Sequence, residues 1–170
     1  MKLVSVLALT SCAGIAGGVE VGTGVNSAGV YIEWSDGFYA EFEVSFGSTA
    51  TDTMTGLALL EELDVADSIG FTLTTKDWGW GITIEGMEYV ESGVTHYDPG
   101  WVDGEDWWHY WIKDVGESSW SFSLEGAVDR IVENGDWNGW IYGHDDAPIP
   151  EPTTIALLGL GAVLARRSRK

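Results

Sequence analysis

Tryptophan is the residue type whose abundance asks for a chemical explanation. Ten lie between Trp34 and Trp140, more than the core of a domain this size requires. They are densest in Trp107-Trp108-His109-Tyr110-Trp111-Ile112. An extended chain places Trp107, His109 and Trp111 on one face and Trp108, Tyr110 and Ile112 on the other. If a helix covers only one side of the sheet, one of these sets stays partly open and can stack on a sugar ring or another flat ligand. If loops cover the second side, both sets are core. Trp107, Trp108, Tyr110 and Trp111 are therefore the candidate ligand-stacking residues.

Carboxylates are the other abundant chemical group. Glu105-Asp106 beside Trp107, with Asp103 close by, offers the kind of acid pair a glycosidase sets at a defined separation across a sugar. No spacing singles out two of the many acids, so a secreted carbohydrate-active hydrolase is the rival reading rather than the first one. Residues 98–106 and Asp145-Asp146 carry hard oxygen ligands without the EF-hand pattern. Calcium is thus a weak expectation, and solvated acidic loops are the simpler one. His96, His109 and His144 are far apart, with no His-x-x-x-His pair, which argues against a zinc site. No phosphate-binding loop, nucleophile elbow or catalytic serine motif is present. The expectation is a non-enzymatic domain with no cofactor.

Charge narrows the partners. The chain has 27 Asp and Glu against 8 Lys and Arg, a formal charge of −19. Five of the bases lie at the two ends, leaving only Lys76, Lys113 and Arg130 between residues 19 and 146. With 26 acids, that stretch carries −23. Such a surface repels a phosphate backbone, so nucleic acid is excluded as a partner.

The elements that must position these residues are mostly strands. Phe38, Ala40, Phe42, Val44 and Phe46 alternate with Tyr39, Glu41, Glu43 and Ser45, and Val30, Ile32 and Trp34 alternate with Tyr31 and Glu33. Ser35-Asp36-Gly37 between them reads as a hairpin turn. Met54, Leu57, Leu60 and Leu63 then recur at three-residue steps, a helix capped by Asp52 or Thr53 with Glu61 and Glu62 outward. Further strands are predicted over 71–75, 81–85, 107–113 and 137–142, with a short one within 119–124, punctuated by glycine-rich turns. A hairpin, a crossing helix and further strands predict an α+β class: one β-rich domain over 19–146, a β-grasp-like sheet with one main helix.

Both ends read as addresses. Met1-Lys2 and the apolar residues 3–9, followed by small residues up to Gly18, predict a signal peptide over 1–18, removed by signal peptidase. Cys12, the sole cysteine, lies inside it in a lipoprotein-like context; without it the mature chain has no disulfide or thiolate chemistry. At the other end an acidic, proline-containing tether over 147–152 carries Pro150-Glu151-Pro152. It leads into the uncharged residues 153–165 and then Arg166, Arg167, Arg169 and Lys170. Thirteen helical residues reach about 20 Å, a marginal span of a ~30 Å hydrocarbon core. The basic cluster holds the tail on the cytoplasmic side, with residues 166–170 inside and the acidic domain outside.

This tripartite tail closely resembles the PEP-CTERM sorting signal of Gram-negative bacteria. The resemblance implies that an exosortase, a membrane transpeptidase-like enzyme, cuts near Pro150, Glu151 and Pro152. The protein would then be exported, held transiently in the inner membrane, and released to the cell surface or an extracellular polysaccharide matrix.

A second resemblance spans residues 38–143. Thr55-x-Leu57-x-x-Leu60, the run Gly-Trp-Gly-Ile-Thr-Ile-Glu-Gly over 79–86, Trp107 to Ile112, Gly126-Ala127 and Asn134-Gly135-Asp136-Trp137 follow one another in an order similar to that of transcobalamin C-terminal-like, β-grasp surface domains. That resemblance implies a secreted, non-enzymatic domain that binds a partner or small ligand. The acidity and the Trp78-Gly79-Trp80 pair are additions to that pattern.

Overall fold

The computed structural model describes residues 18–101 and 106–149. The expected signal segment up to residue 17 with Cys12, the acids Asp103 and Glu105, the Pro150-Glu151-Pro152 triplet, residues 153–165 and the basic cluster lie outside the described residues.

The alternating segments form the expected hairpin, β2 (Asn26–Glu33) and β3 (Tyr39–Phe46), paired from Asn26↔Phe46 to Glu33↔Tyr39. Gly37 turns the chain with φ at +82°, and the Phe38 N–H donates to the Asp36 carboxylate at 2.9 Å. The apolar rows Val30, Ile32 and Phe42, Val44, Phe46 are buried. Ahead of the hairpin, β1 (Val19–Gly22) adds to β3 in parallel.

The helix, α1 (Gly56–Asp64), begins later than its apolar spacing suggests. Its cap is Thr55, whose Oγ1 accepts from the Ala58 N–H at 3.1 Å, rather than Asp52 or Thr53. The reason is local. Met54 and Thr55 form β4 (Met54–Thr55), which pairs with β10 (Ile131–Val132) and holds the chain extended to Thr55. Asp52 closes the preceding turn instead, accepting from the Ser48 and Thr49 N–H groups at 2.7 and 2.9 Å and from Thr49 Oγ1 at 2.7 Å. Leu59, Leu60 and Leu63 of α1 are fully buried.

After the helix comes a three-stranded antiparallel sheet: β5 (Phe71–Asp77), β6 (Ile82–Glu91) and β7 (Val94–Pro99). The chain then returns to the first sheet as β8 (Trp108–Lys113), β9 (Ser121–Phe122) and, after β10, β11 (Trp137–Tyr142). The larger sheet runs β1-β3-β2-β11-β8-β9. Its centre is a parallel pair, β2 with β11, flanked by antiparallel neighbours. The described residues thus form a mostly β domain with one helix.

Trp34 joins the two sheets. Its indole N–H donates to the Met87 carbonyl at 3.0 Å, and its ring packs on Tyr89 and, edge-on, on Trp108. The smaller sheet also grips the hairpin tip. Asp98 accepts from Ser35 N–H and Oγ at 2.7 and 2.6 Å, while His96 lies 2.7 Å from Asp36 and stacks on Phe38 at 3.7 Å.

The opposite side of the larger sheet is covered by aromatic side chains and by the chain's own exit. Trp137 lies flat on Gly29, and Trp120 and Pro148 meet over Gly139. Tyr31 stacks on Tyr39 at 5.5 Å, and Lys113 Nζ lies 5.1 and 5.2 Å from the rings of Trp120 and Trp137. Among the described residues no helix is long and apolar enough to cross a membrane.

Candidate ligand-binding cleft

The site is built from a turn, two strand ends and the start of the helix. Between β5 and β6 the chain reads Trp78-Gly79-Trp80-Gly81, closed by Trp78 N–H to the Gly81 carbonyl at 3.0 Å and by Gly79 N–H to the Asp77 carboxylate at 2.6 Å. The glycines leave the two indoles standing clear of the turn. Trp78 is held on two sides. Its Nε1 donates to Thr83 Oγ1 at 2.9 Å, Thr83 donates on to Glu85 at 2.8 Å, and Lys76 Nζ sits 3.4 Å from the ring centroid. Such an ammonium over an indole face is a favourable cation–π contact. At the far end of β7, Gly100 N–H donates to the Glu85 carbonyl at 2.7 Å, which sets Trp101 beside β6.

Two openings result, both against the start of β6. The first, of about 530 Å³, is lined by Trp101, Trp107, Trp108, Tyr110 and Trp140 together with Leu57 and residues 125–128. The second, of about 660 Å³, is lined by Lys76, Trp78, Trp80, Glu85 and Trp101. They share Thr83, Ile84 and Trp101 and so run into one another. Trp78, Trp80, Trp101 and Trp107 remain 47, 80, 66 and 46% exposed. Large exposed indoles gathered at one concave surface mark a place where apolar or flat partners are bound.

The aromatic walls are fixed by their neighbours. The Tyr110 hydroxyl donates to Asn138 Oδ1 at 2.5 Å, and burial pushes its phenol well above the usual tyrosine range. Behind Trp107, His109 stacks on the indole at 4.9 Å and meets Phe122 edge-on. Burial lowers the His109 pKa, Asp145 and Asp106 oppose the shift, and its Nδ1 is buried without a protein partner. A neutral imidazole in that place is a flat support for the Trp107 ring. Glu125 is the one carboxylate among the described residues lining the first opening, and Glu85 the one lining the second.

Three of the four residues picked out by sequence, Trp107, Trp108 and Tyr110, therefore share one cleft. Trp111 points to the opposite side of the sheet, where Phe122 packs edge-on against it at 5.5 Å. Trp107 keeps to the side of Trp111 as expected, stacking on His109, which meets the same Phe122, but it lies just before β8, and its indole also lines the cleft. Trp78, Trp80 and Trp101 were not placed in the site from sequence. The Trp-Gly-Trp-Gly turn was the available signal for the first two.

Among the acids considered for catalysis or calcium, Asp98 is engaged with Ser35, and Asp106 lies against Gly143. Asp146 approaches His144 at 4.0 Å. Among the described residues no group of three or more His, Cys, Asp or Glu side chains is placed to hold a metal ion.

No curated protein and no solved structure matches the chain. Residues 148–170 match the PEP-CTERM protein-sorting motif. The motif carries with it export, membrane-associated sorting in Gram-negative bacteria and processing by an exosortase, and it begins at the residue that packs over Gly139.

Proposed function

We propose that this is an exported, non-enzymatic surface or matrix protein whose acidic domain binds a flat, uncharged ligand, a neutral glycan first among them, in the tryptophan-lined cleft. On this reading the N-terminal segment is removed by signal peptidase. The apolar segment 153–165 holds the protein in the inner membrane until an exosortase cuts near the triplet. The domain is then delivered to the cell surface or the extracellular polysaccharide. The domain itself is read as a β-grasp fold carrying an inserted three-stranded sheet. A hairpin, a helix, and a last strand lying parallel to the first hairpin strand support that reading.

The cleft is the observation that carries the binding role. Four partly exposed indoles surround its two openings, one of them pinned by a hydrogen bond and a lysine. Such rigid aromatic surfaces lose little conformational freedom on stacking. The charge of −23 between residues 19 and 146 disfavours polyanions, so that among glycans the neutral ones fit better than the uronate-containing ones.

The test is a titration of intrinsic tryptophan fluorescence with neutral and uronate-containing polysaccharides. A saturable change with a neutral glycan, weakened in Trp80→Phe and Trp107→Phe and unchanged in Trp111→Phe, is expected. No saturable change with any of them would remove the binding role and leave a structural one. Release of reducing ends by the protein would favour the rival reading, a hydrolase using carboxylates beside the tryptophans.

A further inference from the structure

The sorting motif does not begin in free chain. After β11 the chain doubles back over the outer side of the larger sheet, and Pro148, the first residue of the motif, is buried there while Ile149 is exposed. The floor of its seat is Gly139. A Cβ at that position would stand 2.9 Å from Pro148 Cγ and 3.3 and 3.5 Å from two Trp120 ring atoms. The space that a side chain would occupy is thus filled by the proline ring. The wall is Trp120, itself met edge-on by Trp137 at 6.1 Å and at a tilt by Tyr31 at 6.4 Å, with Lys113 Nζ 5.1 Å from its ring. A proline against an indole in a glycine notch is a built seat, assembled from three separate parts of the chain.

One residue, Ile149, separates this seat from the triplet. Two residue steps span at most about 7 Å. An enzyme that cuts a peptide must take an extended stretch on both sides of the bond into its cleft. With Pro148 seated, the start of that stretch is tied to the folded body. We propose that the Gly139–Trp120 notch is a latch on the sorting signal: seated Pro148 ties the start of the motif to the domain, and exosortase processing requires Pro148 to lift out. Trp120, Gly139 and Pro148 are positioning residues for the cut, acting through the chain they hold. The latch rests on the sorting reading and goes beyond it, because it makes processing depend on the folded state of the domain.

A pulse-chase of the full-length chain in exosortase-containing cells, following loss of the C-terminal segment by mass shift, tests this. Pro148→Gly removes the occupant without touching the sheet, and Trp120→Ala removes the wall. Both are expected to shorten the processing half-time roughly three- to tenfold, equivalent to about 0.7–1.4 kcal/mol of lost docking. A flexible Gly-Ser spacer of about six residues after Ile149 should shorten the half-time equally and erase the effect of Pro148→Gly. Unchanged or slower processing in Pro148→Gly overturns the latch. So does acceleration confined to Trp120→Ala, which would report a loosened domain. Glu151→Ala is the control for the sorting reading. If it is processed like the parent, or the parent is not processed at all, that reading falls and the latch with it.

Discussion

Trp34 and Trp80 show how differently one side chain is used in this protein. Trp34 is buried, bonded to the Met87 carbonyl and packed between two sheets. Trp34→Ala is therefore expected to lower stability by about 3–5 kcal/mol, the range for large aromatic truncations in cores. Trp80, 80% exposed, should leave the denaturation midpoint nearly unchanged when replaced by alanine. Its loss should weaken glycan binding by the worth of one aromatic stack, about 0.5–1.5 kcal/mol. Urea denaturation beside the fluorescence titration separates the two. Equal losses of stability would mean that Trp80 is a structural residue. At this scale the sequence was partly legible. Alternation placed Trp108 and Tyr110 on one side of a strand, because a strand obeys a strict period. Alternation alone did not show that Trp107, stacked on His109 just before the strand, also lines the cleft, and it was silent on Trp101, which reaches the cleft through the distant contact of Gly100 with Glu85.

Elements were legible where local pattern and tertiary pairing agree. The hairpin 26–46 is written in its alternation and its Asp-Gly turn. β7 is not, because its inward side chains are His96 and Asp98, buried through partners on the hairpin tip rather than through apolarity. The helix cap moved for a similar reason, since pairing of β4 with β10 keeps Thr55 extended. Thr55→Ala should cost about 1 kcal/mol, within the range for caps, readable as a lowered denaturation midpoint. Asp52→Ala should not unwind the helix start. Asp52 acts on the preceding turn instead. Hydrogen bonds from Thr49 and Ser48 hold its carboxyl down at about 2, against an ordinary value of 3.8. The folded state thus binds this proton less readily than the unfolded chain. The stabilisation is fully present above about pH 4 and is lost as pH falls through 3.8 towards 2. Asp52→Asn should flatten that part of the acid-denaturation curve, and an unaltered curve would contradict the assignment.

On the proposed reading, charge, cleft and tail serve one purpose across the whole molecule: an acidic domain displayed outside the membrane, with four exposed indoles gathered at one concave surface and its sorting motif starting on the far side of the larger sheet. The signal was legible in sequence, since a triplet, an apolar segment and a basic cluster in order need no fold to be recognised. The seat of Pro148 was not, because Gly139 and Trp120 acquire their meaning only when the chain turns back across the sheet. The central claim is that this chain is delivered and trimmed through its C-terminal signal. The most direct measurement of it is the intact mass of the protein recovered from the extracellular and surface fraction of exosortase-containing cells. The account predicts a species lacking the N-terminal segment up to about Gly18 and everything beyond the Pro150-Glu151-Pro152 region, with Glu151→Ala retained at the membrane at the longer mass. A surface species still ending in Arg166-Arg167-Ser168-Arg169-Lys170 would contradict it.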